Sequence, residues 1–127
     1  LQENKNLKKR EENNMKITNT YNITDKKDLV RAINDAETVT GFKDETIKVS
    51  GIIFGTTTNK DGDEVKTVVI KTSDGGFIGT ISPTMVESME VIADVFEEEI
   101  AAGAKDMDII IKTGKSNAGR EYYYASI

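Results

Sequence analysis

The chain contains neither cysteine nor histidine. Disulfides, thiolate nucleophiles, imidazole acid-base pairs and zinc sites built from the usual ligands are therefore excluded, and most common catalytic constellations go with them. Long apolar runs are missing too. Nothing approaches the roughly 20 apolar residues of a membrane span, and the start lacks the apolar centre of a signal peptide. The expectation is a soluble cytoplasmic protein without membrane contact, metal or other cofactor. Basic residues are outnumbered, 17 Lys and Arg against 22 Asp and Glu, for a net charge of -5. That balance argues against a protein that grips duplex DNA mainly through a basic surface, but it leaves room for one that binds by stacking.

What is present suits one domain with a modest core, since the chain has 127 residues. Three parts are expected: a basic, Asn-rich extension over 1–23, a short helix and connection over 24–44, and a barrel domain over 45–127. Up to residue 16 the extension sets Lys5, Lys8, Lys9, Arg10 and Lys16 against Glu3, Glu11 and Glu12. So few apolar groups cannot offset the entropy of ordering, so this stretch is expected to be disordered or marginally helical by itself. It reads as a solvated leader, or as a basic arm for a phosphate backbone or for self-association with another subunit. The first residue is Leu, which makes Met15 a candidate internal start. Residues 17–23 suggest a short strand. From Thr24, a candidate cap, Leu29, Ile33 and Ala36 recur at helical spacing until Thr40-Gly41. A helix over 25–39, covering an open end or edge of the barrel, is expected.

The remaining elements are mostly strands. Over 45–56, Ile47, Val49 and Ile53 alternate with Lys48, Ser50 and Phe54, and Gly51 and Gly55 are candidate bends. Asn59-Lys60-Asp61-Gly62-Asp63 superficially resembles a calcium loop. It lacks the required glycine after the third acidic position and the distant Glu, so a hairpin turn is expected. Residues 64–72 form the next strand. Ser73-Asp74-Gly75-Gly76 then signals a tight turn. With Asp74 and Gly75 as its two central residues, Thr72 pairs with Phe77, Ile70 with Gly79 and Val68 with Ile81. Val68, Ile70 and Ile81 are assigned inward and Lys71 outward, with the opposite choice left open.

The most clearly written element is a helix from Ser82 to Ala102. Ser82 is a candidate cap, Pro83 suits the first helical position and Gly103 offers a left-handed stop. Met85, Met89, Ile92, Ala93, Phe96 and Ile100 form one face, and Glu87, Glu90, Asp94, Glu97 and Glu98 the other. Two strands follow, over 107–113 and 121–127, around a turn at 114–120. Gly114-Lys115-Ser116 resembles the end of a phosphate-binding loop, but Ile109 stands where the first Gly belongs and no helix follows. Three strands, a helix and two strands are the order of the oligonucleotide-binding (OB) barrel. The expected fold is therefore mainly β: a five-stranded OB-like β-β-β-α-β-β barrel with an added N-terminal helix.

Charge is unevenly spread along this order. Residues 82–102 carry six acids and no base, whereas 45–72 and 106–127 together carry seven of each. In the last strand Tyr123, Ala125 and Ile127 form an apolar set, which leaves Tyr122 and Tyr124 on the other face beside Lys112. Lys48, Phe54, Lys71, Phe77, Lys112, Tyr122 and Tyr124, bordered by Lys60, Lys115 and Arg120, are the candidate nucleic-acid-binding residues. A base stacked on an aromatic ring is worth roughly 1–3 kcal/mol, so a few rings support affinity without a large basic patch. Tyrosines on an exposed strand face also suit an ordinary sheet.

Within residues 45–127, "ETIKVSGIIF", "TVVIKTSDGGFIGTIS" and the ending "IIIKTGKSNAGREYYYASI" resemble the small single-stranded DNA-binding proteins of protein-primed phages that infect Gram-positive bacteria. The resemblance implies a replication protein in the host cytoplasm that coats displaced single strands, protects them from nucleases and removes secondary structure. It also implies stacking on tyrosines, carried over here to Tyr122 and Tyr124 alone. The resemblance does not extend to the leader and the 25–39 helix. Because the chain ends inside a strand, no acidic recruiting tail like that of the bacterial housekeeping single-strand binders is expected.

Two other classes compete. The Glu-rich helix face could make the chain a protein-interaction module or an acidic inhibitor of a host enzyme, binding protein and ignoring oligonucleotides. Asp61, Asp63, Glu64, Asp106 and Asp108 could serve a small hydrolase or metal-dependent nuclease, but they form no convergent set, and no enzyme is expected.

Overall fold

In the computed structural model, which describes residues 15–127, the longest strand, β3 (Thr46–Thr58), holds three others. Along one edge it pairs antiparallel with β4 (Glu64–Thr72). Its other edge is divided, the first half pairing with β6 (Met107–Lys115) and the second with β1 (Lys16–Tyr21). Beyond these lie β5 (Phe77–Thr80) next to β4, the two-residue β2 (Glu37–Thr38) parallel to β5, and β7 (Glu121–Ser126) next to β6. The order across the sheet is β2-β5-β4-β3-β6-β7, with β1 on β3. A strand, not the conspicuous helix, is the organising element. The basic extension through residue 14, with the self-association assigned to it, lies outside the described residues.

The fold is mixed α/β, mostly strands, and the sheet curls into a half-barrel. The expected closed barrel is therefore corrected. Its five strands occur in the expected chain order, but β5 and β7 do not pair. The helix α2 (Pro83–Ala101) takes up the free edge of β7 instead. The Thr84 hydroxyl donates to the Tyr123 carbonyl at 2.6 Å, and the Ala125 N–H donates to the Ser88 hydroxyl at 2.8 Å. Side chains of a helix thus satisfy backbone groups that a neighbouring strand would otherwise need to satisfy.

Each face of the sheet carries one helix. On the inner face Met85, Met89, Ile92, Ala93 and Phe96 of α2 pack on Val49, Ile52, Phe54, Val68, Ile70, Ile78, Ile109 and Ile111. On the outer face Ala32 of α1 (Lys26–Asn34), with Leu29, Ile33 and Ala36 at its margin, covers Ile53, Val69 and Phe77. So α1 lies on a sheet face, not over an open end or edge. It is also shorter than the spacing suggested, and Asp25, not Thr24, caps it, accepting from the Lys27 N–H at 2.9 Å. Residues 37–42 are β2 and a 3₁₀ turn, Val39–Phe42. At the start of α2 the Ser82 side chain makes no capping bond, and its hydroxyl lies 3.2 Å from that of Thr84. Gly103 ends α2 as expected, with φ 103°.

Two one-residue shifts decide which side chains face where. The first is a bulge in β3, where the pairing with β4 passes from Val49 to Gly51. Ile47 and Val49 face inward before it, and Ile52 and Phe54 after it, so strict alternation mis-assigns Ile53 and Phe54. Gly51 sits at this bulge, whereas Gly55 lies directly under the Lys16 carbonyl of β1. The second shift is in the β4–β5 turn. Thr72 and Gly76 close it, with the Thr72 N–H on the Gly76 carbonyl at 2.9 Å and Gly75 at φ 92°. Three residues lie inside the turn, so Phe77 pairs with Lys71, not Thr72. Phe77 accordingly joins Lys71 and Val69 on the outer face, and Ile81 falls beyond β5 and is exposed.

All three long hairpins use that same turn. In Asn59–Asp63, Thr72–Gly76 and Ser116–Arg120 the fourth residue is glycine, at φ 83°, 92° and 79°. Its N–H donates to the carbonyl of the first residue at 3.1, 3.0 and 2.8 Å. The first side chain then accepts from the fifth N–H: Asn59 Oδ1 at 3.0 Å, Thr72 Oγ1 at 2.9 Å and Ser116 Oγ at 3.2 Å. A left-handed glycine after a two-residue type I bend is the natural three-residue hairpin loop.

Candidate nucleic-acid interface

The turn at Ser116–Arg120 sets the register of the last hairpin, and the register sets its faces. Gly114 lies opposite Tyr122, Lys112 opposite Tyr124 and Ile110 opposite Ser126. Since Ile109 and Ile111 point into the core, these six form the outer face. The Tyr122 and Tyr124 rings lie side by side there, centroids 6.0 Å apart and planes tilted by 40°. Tyr122 is 37 % exposed and Tyr124 half-buried. Tyr123 turns the other way and packs against the core, as alternation requires, and Ala125 is buried. Ile127, expected inward with them, lies past the end of β7 and is exposed.

The structure brings five of the ten candidate residues together on this one hairpin: Lys112, Lys115, Arg120, Tyr122 and Tyr124. None of the three cations is in an ion pair among the described residues. Lys48 is on the neighbouring strand and the same face, 3.2 Å from Asp108 across the β3–β6 pair, with both side chains well exposed. Such a pair is weak and opens readily. Lys43 borders the hairpin and is 3.1 Å from Glu121. The hydrogen bond and charge of Glu121 raise the Lys43 pKa above its ordinary value.

The other four candidates are elsewhere, Lys60 being exposed in the Asn59–Asp63 turn. Phe54 is 7 % exposed on the inner face, edge-on to Tyr21 with centroids 5.8 Å apart, because the β3 bulge reverses it. Phe77 is 6 % exposed and Lys71 is partly covered, because both lie under α1. Lys71 Nζ donates to Asp28 Oδ2 at 2.7 Å, and Arg31 approaches the same carboxylate at 3.5 Å. Two residues that matter here were missed in the sequence. Asp28, 3 % exposed, stands four residues before Ala32 on the buried face of α1, and a carboxylate on an apolar stripe is itself the signal of a partner. Gly114 follows from the register of the Ser116–Arg120 turn, which places it beneath Tyr122. Among the described residues no group of three or more acids is placed to hold a metal ion, and no helix is long and apolar enough to cross a membrane. No family model, no curated protein and no solved structure matches the chain.

Proposed function

We propose that the chain binds single-stranded DNA on the outer face of the β6–β7 hairpin and performs no chemistry of its own. The observation that carries this is the ring pair Tyr122–Tyr124 on an exposed strand face, beside three cations in no ion pair among the described residues. Rings exposed side by side offer faces to unstacked bases, which duplex DNA keeps buried in its own stack. Lys112, Lys115 and Arg120 supply charge for phosphates in a chain whose net charge is -5. The order β-β-β-α-β-β within residues 45–127 supports reading the half-barrel as an opened OB-type arrangement, a fold that holds single strands on such surfaces. With the resemblance to the phage proteins, the role that follows is coating and protecting displaced strands during phage-type replication.

The test is a titration with a long polythymidine strand and with duplex DNA across a range of salt. If three cations each neutralise one phosphate, log K against log salt has a slope of about -2 for single strands. Duplex binding should be much weaker. Equal affinity for the two forms contradicts the proposal. Failure to bind any oligonucleotide moves weight to the interaction-module reading, for which the acidic face of α2 with the exposed Val91 is the available surface.

A further inference from the structure

We propose that Gly114 is a positioning residue for the stacking pair: the missing side chain lets the Tyr122 ring settle against β6 beside Tyr124, so that the two rings take successive bases of one strand. This rests on the nucleic-acid reading of the hairpin and adds to it the device that sets the platform's geometry. A Cβ built on Gly114 would lie 2.6 Å from Tyr122 Oη, 2.7 Å from Cζ and 3.1 Å from Cε1. Carbon atoms in real structures do not approach so closely, so any side chain at position 114 displaces the ring. Gly114 and Tyr122 are direct cross-strand partners, and so are Lys112 and Tyr124. The ring displaced would be the one 6.0 Å from Tyr124.

Glycine inside a strand is otherwise a liability, because it gains no packing and loses the most backbone entropy on ordering. Covering such a glycine with a cross-strand aromatic is also a way of stabilising a sheet. The two roles make opposite demands on the variant Gly114→Ala. A purely structural glycine leaves binding alone, whereas a positioning glycine changes binding through Tyr122 and through nothing else. Lys112, next to Tyr124 on the same face and in no ion pair among the described residues, is placed to take the phosphate that links the two stacked nucleotides.

The experiment is a double-mutant cycle with Gly114→Ala and Tyr122→Ala, read by polythymidine titration and by thermal melting of the full chain. Gly114→Ala is expected to weaken binding by about 5–10-fold, part of the loss of one stacked ring, with melting unchanged or slightly raised. In the Tyr122→Ala background the same substitution is expected to change binding by less than about 2-fold. The Tyr122 ring resonances should move in Gly114→Ala while those of Tyr21 stay in place, which reports the displacement even if melting shifts. Binding equal to the parent, or an equal loss in both backgrounds, overturns the positioning role while leaving the nucleic-acid reading intact. If Tyr122→Ala and Tyr124→Ala both bind as the parent does, that reading falls and this inference falls with it.

Discussion

Ser88 and Ala125 are 37 residues apart in the chain, yet the Ala125 N–H donates to the Ser88 hydroxyl at 2.8 Å. The same hydroxyl donates to the Met85 carbonyl one turn back on α2, at 2.9 Å. This bridge fastens β7 to the helix along the edge where a closed barrel would have a strand. Ser88→Ala strands a nearly buried N–H and is expected to cost about 1–3 kcal/mol in a urea melt. Thr84→Val, which removes the bond to the Tyr123 carbonyl at nearly constant volume, is expected to cost about 1 kcal/mol. Losses below about 0.3 kcal/mol for both would show that apolar packing alone holds the edge.

The Asp28–Lys71 pair should act in stability and not in binding. Among the described residues Lys71→Met leaves the buried Asp28 carboxylate with Arg31 at 3.5 Å, and a lost charged hydrogen bond of this kind costs about 1.5–3 kcal/mol. The double variant with Asp28→Asn should lose less than the sum of the two single changes. Its salt slope for polythymidine should match the parent's, whereas Lys112→Ala should flatten the slope. A flatter slope for Lys71→Met would return Lys71 to the interface.

Asp74 gives a prediction in pH. The Thr72 hydroxyl, and after it the Gly76 N–H, hold its carboxyl below the usual 3.8. A depressed carboxyl favours the folded turn above its unfolded value and loses that contribution as pH falls through the folded one. The Thr72–Gly76 turn should therefore be intact at pH 5 and loosen only below about pH 4, seen as a lower protection of the Gly76 amide relative to its intrinsic exchange rate. A midpoint at or above 3.8 would contradict this, and Asp74→Asn should abolish the titration.

Much of this was legible in the chain because its cues are local. Gly103 ends α2 where the pattern ended, Glu64–Thr72 is a strand over the residues expected, and Tyr122 and Tyr124 face away from Tyr123. The failures come from single residues that shift a period. An extra residue at Ser50-Gly51 sends Phe54 inward, and a three-residue turn in place of two sends Phe77 beneath α1. The second was recoverable, since Asn59, Thr72 and Ser116 each precede a glycine by three residues. The open barrel was not. Thr84 and Ser88 look like ordinary polar positions on a helix until β7, far along the chain, is placed against them. Phe54→Ala is expected to lower stability by about 3–5 kcal/mol, as a core ring does, with no selective effect on binding in a paired melt and titration.

The measurement that bears most directly on the proposed nucleic-acid interface is polythymidine binding by Tyr122→Ala and Tyr124→Ala, with Tyr123→Ala alongside and a thermal melt of each. Loss of either outer ring is expected to weaken binding by about 1–3 kcal/mol with little change in melting. Tyr123→Ala, which removes a ring packed against the core, is expected to lower the melting temperature instead. If the Tyr122 and Tyr124 variants both bind as tightly as the parent, the outer face of the β6–β7 hairpin is not where single strands bind.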